Sequence, residues 1–187
     1  SYHLEVDGRS ILFDAAQSDL FLKNAAILGI DPTSLDAAVL SHGHFDHGNG
    51  LVHLPRLPLI CHPGCFVTRH TQKSGGPDRS IGLSFDEGDA VKRFELKLSK
   101  EPLWMSEHLC FLGEIPRRTD FEPPQPEFYL DAPANPDQLS DDSALVINGE
   151  KGLIVIAGCS HSGICNILLL AQEVTGCERI HAVVGGF

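Results

Sequence analysis

Long apolar runs are missing from this chain of 187 residues. None approaches the roughly 20 residues that a membrane-spanning helix needs, and the mean hydropathy is -0.02. Basic residues are scarce as well: 14 Lys and Arg stand against 25 Asp and Glu, a formal net charge of -11. Nucleic acid and anionic membranes are bound by clustered cations, so this balance argues against both and leaves small molecules as the expected ligands. The opening SYHLEVDGRS carries neither the basic segment nor the apolar stretch of a secretion signal. A disulfide pattern is lacking too. Cys61, Cys65, Cys110, Cys159, Cys165 and Cys177 are unevenly spaced and sit mostly inside apolar segments, as free thiols of a reducing compartment do. The expectation is a cytoplasmic protein.

What is present suits one buried core, and residues 1–187 are read as a single domain. Residues 2–6 alternate apolar and polar, Asp7-Gly8 is a hairpin signal, and residues 10–13 return as a second strand. A helical pattern covers 19–28, with Ser18 as N-cap and Gly29 as its stop. The apolar run 37–40 is too short for a helix and reads as a buried strand. A short helix after Gly50, a strand at 59–61, a short helix at 65–69 and a strand at 91–98 follow. Residues 119–142 carry five prolines and little periodicity, the signature of a long surface loop or lid. Strands at 143–147 and 153–157 flank an Asn148-Gly149 turn, a helix spans 164–175, and a last strand covers 180–184. Each half thus places a histidine-bearing loop after a buried strand, which fits a layered α/β sandwich with a site where the halves meet.

The densest chemistry lies in SHGHFDHGNG, residues 41–50. Residues two apart in an extended segment point to the same side, so His42 and His44 can chelate one ion. As the loop turns, Asp46 and His47 can face a second. Imidazole and carboxylate ligands suit Zn²⁺, and also Mn²⁺ or Fe²⁺. Arg117 and Arg118, in GEIPRR, are the best local pair for a phosphate or carboxylate, because guanidinium forks match those groups bidentately. His3, His53, His70 and His181 stand alone and read as surface or satisfied core residues, and His62 beside Cys61 and His108 near Cys110 are weaker candidates. Cys61 and Cys65 have no second pair with which to build a zinc site.

This motif resembles the metal-binding motif of the metallo-β-lactamase superfamily. More closely, ILFDAAQSDLFLKNAAILGID, LSHGHFDHGNGL, GEIPR, AGCSHSGICNIL and HAVVGGF, spread along nearly the whole chain, resemble the branch named after a dihydropterin-(ribofuranosyl)aminobenzene-phosphate synthase. The resemblance implies a four-layer αβ/βα sandwich with one or two metals at the edge between its sheets. It also implies that His161 completes the metal site and that Asp14 orients the metal loop. Cys159 stands where most members place a bridging aspartate, either as a thiolate ligand or as a small buried residue. Asp141 and Asp142 lie near another ligand position of the family, as ligands, substrate contacts or caps. In the family a first strand precedes the segment that begins here, and a ligand histidine follows VVGGF, so the sequence is expected to be part of a longer protein. The activity implied is metal-dependent hydrolysis, with Asp46 as general base, of a phosphoester, a diphosphate or a related small molecule. Transfer at a pterin diphosphate is the alternative. A di-iron redox protein is a third reading, disfavoured by a histidine at position 44 where such relatives carry glutamate.

Overall fold

The computed structural model describes residues 1–72, 76, 78–131 and 135–187. The chain opens with the expected hairpin: β1 (Tyr2–Val6) pairs antiparallel with β2 (Arg9–Phe13), around left-handed Asp7 and Gly8. In α1 (Leu20–Leu28) the N-cap is Asp19 rather than Ser18, whose hydroxyl accepts the Leu20 N–H. Gly29, at φ 71°, ends the helix as expected of glycine in the left-handed region.

Then come β3 (Ala37–Val39), a single turn α2 (Phe45–Gly48) and β4 (Pro58–Cys61). The 3-10 turns at Asn49–His53 and Pro63–Phe66 take the places of the expected short helices. Two short strands, β5 (His70–Thr71) and β6 (Arg79–Ser80), were not expected. Nor was α3 (Glu87–Arg93), where a strand from 91 was anticipated; only β7 (Glu95–Leu98) is extended. The signals for α3 are local. Asp86 caps the Asp89 N–H, acids fill the first turn and Lys92 and Arg93 the last.

The second half begins with β8 (Leu103–Trp104) and β9 (Leu109–Phe111), followed by β10 (Phe128–Tyr129) inside the proline-rich segment. Residues 132–134 of that segment lie outside the described residues. β11 (Ala144–Gly149) and β12 (Gly152–Ala157) form the second hairpin, but Asn148 and Gly149 are paired strand residues and the turn is Glu150-Lys151. α4 (Ile164–Thr175) and β13 (Ile180–Val184) fall where the periodicity put them.

Two five-stranded sheets result, ordered β1-β2-β3-β4-β7 and β13-β12-β11-β9-β8, with β10-β5-β6 as a small third sheet. The inner strands are apolar on both faces, and successive residues serve different layers. Ile11, Phe13, Val39, Ile60, Phe111, Leu145 and Ile156 pack together between the two large sheets. Their neighbours turn outward, Leu12 and Ala38 toward Phe21 of α1, Val155 and Ala157 toward Ile167 and Ala171 of α4. Fully burying one such large side chain contributes roughly 1.5–3 kcal/mol. The product is a four-layer αβ/βα sandwich, and its edge is where both histidine loops emerge.

Candidate metal centre

The first loop leaves β3 and is fixed before any histidine is reached. Asp14, left-handed at φ 58° and buried, accepts the Ser41 N–H on one oxygen at 2.8 Å. Its other oxygen faces the Ser41 hydroxyl at 2.8 Å and His47 Nδ1 at 2.7 Å. A non-glycine residue held left-handed marks a place where the surroundings over-determine the backbone. Gly43 has no space for a side chain, since a Cβ there would collide with the Cys65 carbonyl and the Arg69 guanidinium. Its N–H goes to Asp141 Oδ2 at 2.7 Å.

The imidazoles converge. His42 Nε2 lies 3.1 Å from His44 Nδ1, while Ser41 Oγ holds His42 Nδ1 at 2.8 Å. His42 has ring contacts with His44, His47 and His161 at centroid distances of 4.6, 4.3 and 4.8 Å. Cys159 Sγ sits 3.1 Å from His47 Nε2, and Asp46 Oδ2 is 4.0 Å from the same nitrogen. One donor atom each from His42, Cys159 and His161 lies within 4.8 Å of the others.

The second loop, 158–163, is placed by β12. Gly158 packs so closely on Ser41 that a Cβ would meet its hydroxyl. Ser160, at φ 53°, ties to the Gly186 carbonyl at 2.8 Å, and Ser162 donates to Asp142 Oδ2 through both N–H and hydroxyl. His161 Nδ1 faces Gln125 Oε1 at 2.8 Å. The Phe128 ring stands edge-on to His44 and to His161, at 5.4 and 5.5 Å.

Burial strips water from these rings and disfavours their charged forms. It drives His42 well below its ordinary pKa, with the neighbouring histidines adding to the effect. Burial, then His161 and Arg69, brings His44 to about 2; burial, then His47, brings His161 to about 4. His47 goes the other way. Burial opposes its charge, but the Asp14 and Cys159 contacts prevail and lift it to about 10.

The other candidates have partners of their own. Arg117, expected to meet a substrate anion, donates to the carbonyls of Glu122, Gln138 and His161, a brace for the surrounding backbone. Arg118 pairs with Glu173 on α4, and its N–H goes to Asn166. Asp141 is occupied by Arg69 and Gly43, whereas Asp142 accepts from Ser162 on Oδ2 and leaves its buried Oδ1 without a hydrogen-bond partner, burial lifting it to about 6. Both carboxylates support the loops from behind. Of the lone histidines, His3 meets Ser10, His62 meets Glu114, His70 stacks on Tyr129 and His108 pairs with Asp7.

Four contributors escaped the sequence reading: Ser41, Arg69, Gln125 and Phe128. Arg69 is 2% exposed and binds Asp137 at 2.6 Å, Asp141 at 2.5 Å and the Gly64 carbonyl at 3.1 Å. Burial opposes its charge, and Asp141 and Asp137 more than restore it. Ser41, next to the motif, was the one detectable locally; the others come from distant segments.

The arrangement fits a divalent cation. Buried polar atoms are ordinarily paired, yet His44 Nε2 and His161 Nε2 are buried with no hydrogen-bond partner. The neutral imidazoles of His42, His44 and His161, with the Cys159 sulfur and the Asp46 side chain, form a donor set suited to zinc and its first-row neighbours, which His47 would join on giving up its proton to an incoming cation.

A profile described as Beta-lactamase superfamily domain matches residues 9–100. The chain is 31% identical to the 7,8-dihydropterin-6-methyl-4-(beta-D-ribofuranosyl)-aminobenzene-5'-phosphate synthase of Methanocaldococcus jannaschii, over all of this chain and 69% of that protein. It belongs to the metallo-β-lactamase superfamily. Among solved structures, a metal-dependent hydrolase of the beta-lactamase superfamily superposes with a TM-score of 0.81 at 33% identity, covering 95% of this chain and 66% of that one. A quorum-quenching N-acyl homoserine lactone lactonase shares the superfamily fold at a TM-score of 0.60 and 14% identity, over 98% of this chain and 77% of its own. The chain thus spans about two thirds of the length of the synthase and of the metal-dependent hydrolase. Among the described residues no helix is long and apolar enough to cross a membrane.

Proposed function

We propose that this superfamily member is a cytoplasmic, divalent-metal-dependent hydrolase of a small molecule of the phosphoester or diphosphate class. The observation that carries the reading is the convergence of His42, His44, His47, His161 and Cys159, with two buried imidazole nitrogens left unpaired. His42, His44 and His161 would hold one cation, and Asp46 and His47 a second, with Cys159 beside both groups. The thiol favours zinc over manganese or iron(II). A cation bound there supplies Lewis acidity and lowers the pKa of water toward about 7.

The chain's own residues do the rest. Asp46, half-exposed beside His47, takes the proton of the attacking water and aims it. Asp14 and Ser41 hold the Nδ1 sides of His47 and His42, so that each Nε2 faces the donor cluster, His42 toward His44 and His47 toward Cys159. Arg117 and Arg118 are engaged elsewhere, so a substrate anion would be met by a cation that His42, His44 and His161 would hold. Support for a phosphate-bearing substrate comes from the phosphate in the synthase relative's name.

That same 31% identity favours a second reading, transfer at a pterin diphosphate. Elemental analysis combined with turnover assays separates the two. Bound zinc with hydrolysis of a generic phosphodiester supports the hydrolase. Consumption of a pterin diphosphate only when an aminobenzoate-type acceptor is present replaces it with the transferase. Metal content near zero after zinc loading removes both.

A further inference from the structure

His42 and His47 each have a ring nitrogen held from outside the donor cluster by a residue of the N-terminal half, Ser41 and Asp14. His161 takes its partner neither from its own loop nor from the five-stranded sheet that carries that loop. The group at its Nδ1 is Gln125, 36 residues away in the proline-rich segment. We propose that Gln125 is a positioning residue for His161, and that residues 117–128 form a strap that sets the metal-binding nitrogen of the second loop. The proposal rests on the metal reading above and assigns a role to a segment which that reading leaves unused.

The chemistry follows from the atom that Gln125 presents. A carbonyl oxygen only accepts, so at 2.8 Å it requires the proton of neutral His161 to be on Nδ1. Nε2 then carries the free lone pair, and this is the nitrogen that is buried without a partner. The opposite tautomer would direct an N–H into the cluster and block a cation there.

The strap is built to hold that amide in place. Gln125 lies between Pro124 and Pro126. The first has a fixed φ, and the second confines Gln125 to extended conformations. On one side of this triplet, Glu122 accepts the N–H groups of Cys165 and Asn166 at the start of α4. On the other, Phe128 packs edge-on against His161 and His44, and β10 pairs with β5. Arg117 joins the Glu122 and His161 carbonyls, so the strap and the loop it serves share one guanidinium.

Gln125 is itself exposed, so replacing it leaves no cavity. Two variants and two readouts test the proposal: Gln125→Leu removes the acceptor and Gln125→Glu keeps one. In the metal-free protein at neutral pH, long-range ¹H–¹⁵N correlation of the histidine side chains should show His161 protonated on Nδ1 in wild type and Gln125→Glu, with the Nε2 form gaining in Gln125→Leu. Competition against a chromophoric chelator should show zinc affinity falling about 10–100-fold in Gln125→Leu and staying near wild type in Gln125→Glu. Equal zinc affinity in wild type and Gln125→Leu, or an Nε2–H tautomer in wild type, overturns the role of Gln125 alone. A wild type that binds no zinc overturns the metal reading and this proposal with it.

Discussion

The two histidine loops reach the same site by different means. Loop 41–48 is fixed from inside the protein: Asp14, Asp141 and Arg69, which hold Ser41, Gly43 and His47 directly or through one another, are all at most 4% exposed. Loop 158–163 shares one buried support, Asp142, but its histidine is aimed by the exposed Gln125 and braced by Arg117. One side of the centre is therefore part of the core, and the other is set by a surface strap. Changes behind the first loop should cost fold stability and metal together, whereas changes in the strap should move metal affinity with little effect on the fold.

The largest effect is expected at the ligands themselves. His42→Ala combined with His44→Ala should abolish metal retention as read by elemental analysis, while His161→Ala should weaken it to a lesser degree; full metal content in the double variant would remove the assignment. Next comes Arg69→Met. It leaves Asp137 and Asp141 buried without their counter-charge, and breaking such a pair costs about 3–5 kcal/mol, measurable as a lower urea midpoint. A loss under about 1 kcal/mol, the range of exposed ion pairs, would mean that the first loop is not anchored through this network.

Glu122→Gln should be milder. It weakens the carboxylate cap on the first N–H groups of α4, an effect on the order of 1 kcal/mol, with the strap loosened in the same step. The smallest effect is a control remote from both loops. Hydrogen bonds from Ser106 and His108 bring Asp7 down to about 2, and Asp7 in turn raises His108. The depressed Asp7 favours the fold above its ordinary pKa near 3.8 and loses that contribution as pH falls toward about 2. The raised His108 favours the fold below the ordinary histidine value near 6.5 and loses it as pH rises through its higher folded value. Asp7→Asn should flatten the stability profile at both ends while metal content stays unchanged.

The same contrast governs what was legible in the sequence. The hairpin of β1 and β2, the strand β3, the helix α4 and the strand β13 announce themselves by local periodicity, and the first loop by its spacing of histidines. Strands of two residues, such as β5, β6 and β10, have no period to detect. Gly88 and the apolar residues from Val91 onward disguised α3 as the start of a strand. Arg117 shows its charge in the sequence but not the three carbonyls that occupy it, and Gln125 shows nothing, because its meaning lies wholly in the histidine it meets. At Cys159 the sequence allows both a ligand and a small filler, and in the structure its sulfur stands against His47.

Consider last the bond from Gly43 to Asp141 and the contact of His47 with Cys159, which join residues 98 and 112 positions apart. Contacts of such long range form only after large chain segments have been closed, and their entropy cost falls early in folding. The full donor cluster, which needs residues of both loops, is thus expected late in folding, after the first loop's own histidines have been brought together. Time-resolved capture of a cation by the refolding chain would then report arrival at the native topology, with strand pairing and collapse already past.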